Sequence, residues 1–485
     1  MTPPASAAKI IMNLFALITL LLSVALALAT STTTASHDTT TLVNSHGVRQ
    51  QATNGIISTV AGTKDEAGFS GDGGLATAAK LSGPTPLAVD STGSYFIGST
   101  SNVVRKVTAS TGIISTVAGV NGKSGFGGDG GPATSASFDS IKGVAVDANG
   151  NLYIADSNNH RIRKVILSNG IVSTVAGTGV SSSTGDDGAA TAATLSNPTD
   201  VAVDVPGNVY IADSSNGKIR KITISTGIIT TVAGGGQQSG GLVDNILATN
   251  AYFSSTTGIA FDTTGNMYIL VASANLASIK KVTLSTGIIT TVAGGEDETV
   301  SGIAATKALL SSPTKIAVDK EGNIFVSESK RIRQITATTG IISVEAGSGS
   351  TGDKNYGDGS PAIQATLTTP GGIVFDPAGN VIFCDPSQNT VRKITFSGSA
   401  PSPSVTPAPA MTPNSSPSAS IPAAPATTPG GSVSSSPAKT PSSSGSTSPT
   451  AAGSPAAQKS ASTHSANTVP SLILVLISLP MALLW

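Results

Sequence analysis

The chain repeats one motif six times at a nearly constant interval, and this repetition constrains its fold more than any other feature. The motif reads VAVDANGNLYIAD at residues 144–156, and its first aspartate recurs at spacings of 57, 57, 58, 57 and 57 residues. These aspartates are Asp90, Asp147, Asp204, Asp262, Asp319 and Asp376. Such a period indicates an array in which each repeat is one supersecondary unit packed against its neighbours.

Each unit predicts four short strands, which we name A to D. In the second unit they cover residues 143–147, 151–156, 161–165 and 170–177. The Asp-x-x-Gly-Asn link between strands A and B and the Ser-Asn-Gly link between C and D are typical of tight turns. Four-stranded units in radial repetition are the plan of a β-propeller.

The phase of the repeat predicts how the ring closes. The last unit ends after strand C at residues 390–396, whereas a spare strand D stands at residues 55–62, before the first complete unit. We expect this N-terminal strand to close the last blade, because the ring then has no open edge. The predicted fold is all-β: a six-bladed propeller over residues 52–397, followed by a disordered C-terminal stalk.

Two segments carry a family resemblance. NLYIADSNNHRIRKV at 151–165 and GNVYIADSSNGKIRKI at 207–222 resemble NHL repeats, and GFGGDGGPAT at 125–134 is similar to the longer-repeat members of that family. The resemblance implies a propeller fold. It is less specific for function, since NHL propellers serve as ligand-binding scaffolds, RNA readers and, in distant relatives, enzymes.

The segments outside the ring predict export. Residues 1–29 combine Lys9, a short apolar run and small residues at the end, as in a signal peptide; a retained N-terminal anchor is the alternative. Residues 30–51 form a polar lead-in. Residues 398–468 form a Ser/Thr/Pro-rich stalk that contains a glycosylation sequon at Asn414.

The C-terminal tail predicts membrane attachment. Residues 469–485 are apolar, but as a helix these 17 residues reach only ~25 Å, against a hydrocarbon core of ~30 Å. Small residues including Ser460 precede the tail, an order that resembles a GPI-attachment signal with Ser460 as candidate lipidation site. A retained tail anchor is the alternative. Either kind of anchor would place the propeller at the extracellular face of the plasma membrane.

Charge and residue types argue against several chemistries. The ring holds 23 Lys and Arg against 26 Asp and Glu, so no nucleic-acid partner is expected. The basic pairs of strand C, such as Arg163-Lys164, are interpreted as side chains lying along the outer blade with their charges in water. His160 is the single histidine of the ring and cannot build a zinc site, and we expect it to lie solvated in a B–C turn. Cys384 falls in a column of mostly small residues. No catalytic residue, metal or cofactor is predicted.

The Gly-Asp-Gly elements around Asp72, Asp129, Asp186 and Asp358 are interpreted as packed loops between blades rather than phosphate or Ca²⁺ sites. Departures from the repeat indicate a binding site instead. They are the apolar segment 268–278, the acidic loop with Glu296, Asp297 and Glu298, and the later loop with Lys354 and Tyr356. We expect them to lie around one rim of the propeller.

These features favour a monomeric surface-displayed module for binding or adhesion, with an extracellular protein or glycan as ligand. A propeller lyase or hydrolase that uses carboxylates, with or without Ca²⁺, at the central channel is the alternative. A structural cell-wall or coat protein is a third. Unpaired Asp, Glu or Asn side chains lining the axis would favour the enzyme.

The tail generates a first prediction. If residues 469–485 are a GPI signal, phosphatidylinositol-specific phospholipase C should release the propeller from intact cells, because lipid alone would hold it. Western blotting of the supernatant measures the release. Recovery of a peptide containing Trp485 from the membrane-bound protein would contradict it.

Overall fold

The computed structural model of the chain describes residues 55–236, 244–272, 276–295, 301–349 and 357–396. Within these ranges the chain forms six antiparallel sheets with four main strands each, and no α-helix. The sheets are the blades of a β-propeller, with strand A of every blade lining the axis. The predicted all-β, six-bladed propeller is confirmed.

Every blade runs through strands A to D in order. The strands are Pro84–Val89, Tyr95–Ser99, Val104–Val107 and Ile114–Ala118 in blade 1; Ile141–Val146, Asn151–Asp156, Arg161–Ile166 and Ile171–Ala176 in blade 2; Pro198–Val203, Val209–Asp213, Lys218–Thr223 and Ile228–Gly234 in blade 3; Thr256–Phe261, Met267–Val271, Ser278–Thr283 and Ile288–Ala293 in blade 4; Lys315–Val318, Ile324–Glu328, Arg331–Ile335 and Ile341–Ala346 in blade 5; and Ile373–Phe375, Val381–Asp385, Thr390–Thr395 and Ile56–Ala61 in blade 6.

Short elements mark the loops. In blades 3, 4 and 5 a two-residue strand pairs with strand D as a fifth, outermost strand: Gly188–Ala189, Ile246–Leu247 and Ile303–Ala304. Single turns of 3₁₀ helix lie in five D–A loops, at Ala76–Ala78, Ala133–Ser135, Ala190–Ala192, Ala248–Asn250 and Ala362–Gln364. Three more lie in B–C loops, at Ser157–Asn159, Ser214–Asn216 and Pro386–Gln388. The D–A loops thus cover the outer strand edges that would otherwise be exposed.

The repeated turn residues have local structural causes. The Asp147 carboxylate accepts the backbone N–H groups of Asn149 at 2.9 Å and Asn151 at 2.8 Å, which closes the A–B turn. Gly177 ends strand D at φ +92, where a Cβ would lie 2.2 Å from the carbonyl oxygen of His160. Only glycine fits there, because the chain passes so close to the B–C turn.

The hydrophobic core is divided among the junctions between blades. Six clusters of buried apolar residues occur, and each combines side chains from two adjacent blades. Both faces of a blade are therefore buried, and each blade depends on its neighbours for a core.

Ring closure follows the predicted splice. Strand Ile56–Ala61 pairs antiparallel with Thr390–Thr395, with Ile57 opposite Ile394 and Ser58 opposite Lys393. Ile57 is fully buried against blades 5 and 6, and Ala61 packs at the junction of blades 6 and 1. The N-terminal strand therefore seals two junctions.

Closure generates the second prediction. Deleting residues 30–62 should lower the melting temperature of the propeller far more than deleting residues 30–51, because only the longer deletion exposes the edge of Thr390–Thr395. Circular dichroism of both truncations measures the difference. Equal melting temperatures would contradict closure by this strand.

Candidate functional site

The first basic residue of each strand C pair is not at the surface. Arg105, Arg163, Arg220, Arg333 and Arg392 have at most 2% of their surface exposed and are the largest buried side chains. The interpretation that these residues lie along the outer blade with their charges in water is wrong for them. Strand C alternates apolar and basic residues in the sequence. This alternation alone does not reveal that neighbouring blades cover both faces of the strand.

Each arginine outside blade 5 is instead held by the Gly-Asp-Gly loop of its own blade. Arg163 forms an ion pair with Asp129 at 2.6 Å and also bonds the carbonyl oxygens of Gly127 and Ser137. The same guanidinium forms a second ion pair, at 3.3 Å, with Asp156 at the end of strand B. The equivalent loop pairs are Arg105 with Asp72, Arg220 with Asp186, and Arg392 with Asp358. These aspartates therefore anchor packed loops.

Blades 4 and 5 change this arrangement while keeping its charges paired. In blade 4, Lys280 replaces the arginine and lies 3.5 Å from Asp244, while Val271 stands where blades 2 and 3 have aspartate. In blade 5, Ser301 replaces the loop aspartate, and Arg333 pairs with Glu328 at 3.2 Å. Glu328 occupies the strand B position of Asp156, so blade 5 keeps the strand B carboxylate against its arginine.

Strand A of all six blades lines an axial channel of about 370 Å³. Its wall is mostly Val, Ala, Ile and Phe, with two charged residues at one level, Asp200 of blade 3 and Lys315 of blade 5. Other blades carry proline or glycine at this position. Glycine is needed at Gly143, because a Cβ there would lie 2.6 Å from the Cα of Asp200.

These two axial charges neutralise each other. Lys315 Nζ lies 2.7 Å from Asp200 Oδ1 and also donates to the Thr199 carbonyl at 3.0 Å. Asp200 Oδ2 accepts the backbone N–H of Ile259 at 2.9 Å, so the pair joins blades 3, 4 and 5. Burial raises the pKa of Asp200, and the Lys315 ammonium opposes that rise. Asp200 is the one carboxylate among the described residues that line the channel, and it is paired.

His160 and Cys384 serve the fold. His160 ends the B–C turn of blade 2 at φ 52, half-buried, and its Nδ1 accepts the backbone N–H of Asn197 at 3.1 Å. It is thus less solvated than the sequence predicted. Cys384 is fully buried in strand B of blade 6, and burial raises the pKa of its thiol. A fully buried thiol with a raised pKa is not activated as a nucleophile.

The predicted rim residues Glu296, Asp297, Glu298, Lys354 and Tyr356 lie outside the described residues, as do Asn414 and Ser460. Within the described ranges, no group of three or more His, Cys, Asp or Glu side chains is arranged to hold a metal ion. In that same part of the chain, no helix has the length and apolar character needed to cross a membrane.

Comparison with known families agrees with this geometry. The NHL repeat model matches residues 138–165, which span strands A and B and most of strand C of blade 2, and the teneurin NHL domain model matches residues 179–243. The chain carries NHL repeats in a β-propeller fold. The buried arginine of strand C and the strand B residue that faces it lie inside these matched segments.

Relatives of this NHL propeller are longer proteins. Protein SUPPRESSOR OF QUENCHING 1, chloroplastic, of Arabidopsis thaliana is 28% identical over 290 residues, which cover 57% of this chain and 26% of that protein. NHL repeat-containing protein 2 of Homo sapiens is 26% identical over 289 residues, 53% of this chain and 39% of that protein. The chain thus spans between about a quarter and two fifths of these relatives.

Solved structures share the architecture of the NHL propeller. An auxiliary nutrient binding protein from Bacteroides ovatus superposes with a TM-score of 0.53 at 15% identity, over 73% of this chain and 82% of that one. This likeness shows the fold.

The axial pair generates the third prediction. Asp200→Ala removes the acceptor for both Lys315 and the Ile259 N–H, and should lower the free energy of unfolding by about 3 kcal/mol. The double variant Asp200→Ala with Lys315→Ala should recover part of that loss, because no unpaired ammonium remains. Urea unfolding measures both. A double variant less stable than Asp200→Ala alone would contradict the pairing argument, and Lys142→Ala, at an exposed position, is the control.

Proposed function

We propose that this chain is a binding module displayed at the outer face of the plasma membrane, with the NHL propeller as its ligand-binding head. The stalk at 398–468 would hold the head clear of the lipid, and the tail at 469–485 would supply the anchor. An extracellular protein or glycan is the proposed ligand.

The observation that carries this proposal is broken symmetry on a closed ring. Blades 2 and 3 keep the buried arginine with both of its aspartates, whereas blades 4 and 5 change the arginine or the aspartates. A scaffold of identical blades gives no single place for a ligand, so departures from the repeat are where a specific site is expected. The acidic loop at 296–298 and the loop with Lys354 and Tyr356 belong to the same part of the sequence.

The axial channel gives no support to the enzyme alternative. An enzyme of that kind would need unpaired carboxylates around the axis. Among the described residues that line the channel, the carboxylate is that of Asp200, which forms an ion pair with Lys315 at 2.7 Å. Binding through loops on a rigid ring fits the arrangement better, because loops carried by a rigid frame are common recognition surfaces.

The fourth prediction tests the rim. A variant with Glu296, Asp297, Glu298 and Tyr356 all changed to alanine should lose binding to whichever protein or glycan the full-length chain captures on an array. Its melting temperature should stay unchanged, because exposed substitutions usually alter stability by no more than about 0.5 kcal/mol.

The control is Glu66→Ala with Lys80→Ala, which removes an exposed ion pair from the loop that leads into blade 1. Asp72 and Asp129 are unsuitable controls, because their carboxylates hold buried arginines. Normal binding by the rim variant together with lost binding by the control would move the site to the regular blades.

A further inference from the structure

The B–C hairpin of blade 6 contains three buried polar side chains, each with an oxygen atom that has no hydrogen-bond partner among the described residues. These atoms are Asp385 Oδ2, Gln388 Oε1 and Thr390 Oγ1. Each of the three residues has at most 1% of its surface exposed. Leaving a buried polar atom unsatisfied is destabilising, so three of them in one hairpin call for a common explanation.

The three residues lie at one end of this hairpin. Asp385 ends strand B, and its Cα partner across the sheet is Thr390, the first residue of strand C. Gln388 ends the 3₁₀ turn between the two strands. Residues directly opposite each other in an antiparallel pair have their side chains on the same face of the sheet. The hairpin therefore brings the carboxylate and the hydroxyl to one buried place, beside the turn.

The D–A loop of the same blade covers this end of the hairpin. The carbonyl oxygen of Thr366 accepts a hydrogen bond from Gln388 Nε2 at 3.3 Å, and the hydroxyl of Thr368 donates to Asp385 Oδ1. Each bond uses one of the two polar atoms at the end of a side chain. The other atoms, Gln388 Oε1 and Asp385 Oδ2, are left as acceptors without a donor among the described residues.

The regular blades satisfy the equivalent acid of strand B with three partners. In blade 2, Asp156 accepts a hydrogen bond from Asn159 Nδ2 at 2.8 Å and forms an ion pair with Arg163 at 3.3 Å. A second cation, Arg161, lies opposite the acid at the start of strand C. The residues of blade 3 that correspond to these four are Asp213, Asn216, Arg220 and Lys218.

Blade 6 changes all three partners. Gln388 replaces the asparagine and, with one more methylene, gives its side-chain N–H to the Thr366 carbonyl oxygen instead of the acid. Arg392 Nη1 donates to that same carbonyl oxygen at 3.4 Å, and Asp385 Oδ2 accepts no hydrogen bond from a described residue. Thr390 is neutral and stands where blades 2 and 3 have a basic residue. A positive charge has thus been lost beside a buried carboxylate.

The chemistry of the three atoms indicates what could replace that charge. Burial raises the pKa of Asp385, and the Thr368 hydroxyl and the charge of Arg392 oppose only part of that rise. Arg392 also shares its charge with Asp358, at 2.7 Å. Carboxylate, amide and hydroxyl oxygens are ligands for hard metal cations. Since the group holds a single carboxylate, a monovalent ion balances it, whereas a divalent ion would leave positive charge buried.

We propose that the B–C hairpin of blade 6 binds a monovalent metal cation, Na⁺ or K⁺, through Asp385 Oδ2, Gln388 Oε1 and Thr390 Oγ1. The ion takes the place of the basic residue that blades 2 and 3 carry opposite the acid. The Gln388 carbonyl oxygen also accepts the backbone N–H of Asp65 at 3.0 Å, so the ion stabilises the hairpin on which the N-terminal segment packs as it closes the ring. This inference goes beyond the proposed binding function and does not depend on it.

The fifth prediction compares the melting temperature of the full-length protein in NaCl, KCl, CaCl₂ and choline chloride at equal ionic strength. The value in NaCl or KCl should exceed that in choline chloride by about 2 °C or more, because an ion that binds only the folded state stabilises it and choline is too large for this buried place. The value in CaCl₂ should match that in choline chloride. Differential scanning calorimetry measures all four.

Two variants locate the effect. Thr390→Lys supplies the cation that blade 3 has as Lys218, and should melt at the same temperature in NaCl and choline chloride. Asp385→Asn removes the charge that holds the ion and should also lose the difference. If Asp385→Asn folds poorly, Thr390→Lys still provides the test, because blade 3 accommodates lysine at this position. The matched control, Gln364→Lys, adds the same charge at an exposed position of blade 6 and should keep the difference.

Three results would each overturn the proposal. Equal melting temperatures in all four salts would leave a water molecule or a proton as the group that satisfies these oxygens. A larger stabilisation by CaCl₂ than by NaCl and KCl would exclude a monovalent site. A difference between NaCl and choline chloride that persists in both Thr390→Lys and Asp385→Asn would place the ion elsewhere in the chain.

Discussion

The buried arginine of strand C is the interaction on which the rest of the propeller depends. Moving a guanidinium out of water costs several kcal/mol, which is offset only where its donors all find acceptors. Arg163 meets that condition with Asp129, Asp156 and two loop carbonyl oxygens. Most of these partners come from the D–A loop, and five of the six D–A loops also fold over an inter-blade junction through an alanine-led 3₁₀ turn. The buried arginine therefore holds the D–A loop in place, and that loop covers the outer edge of the blade.

This dependence explains why most charged residues are unavailable for ligand chemistry. The aspartates of the A–B turns bind backbone amides, those of the D–A loops bind arginines, and Asp200 binds Lys315. Burial alone would raise the pKa of Asp376, but Lys393 and Asn380 hold it below its usual range, so this turn aspartate stays ionised as part of the scaffold. A site for a partner has to come from residues that the repeat does not already use.

The fold followed from the sequence to an unusual extent, because the period, the turn residues and the missing last strand D all describe one closed ring. The burial of Arg163 did not follow, since its partner Asp129 lies 34 residues earlier in a loop without regular structure. A signal was present: Asp129 with Arg163, Asp186 with Arg220, and Asp358 with Arg392 share that same separation.

Blade 5 shows how far the arrangement can change while the arginine stays paired. Ser301 stands where the other blades have a loop aspartate, and Glu328 occupies the strand B position of Asp156 with one more methylene. The Glu328 carboxylate accepts hydrogen bonds from Arg333 at 3.2 Å and from the backbone N–H of Ser311 at 2.8 Å. Because a buried guanidinium without a carboxylate would be costly, the fold tolerates the loss of the loop aspartate only where the strand B acid is kept.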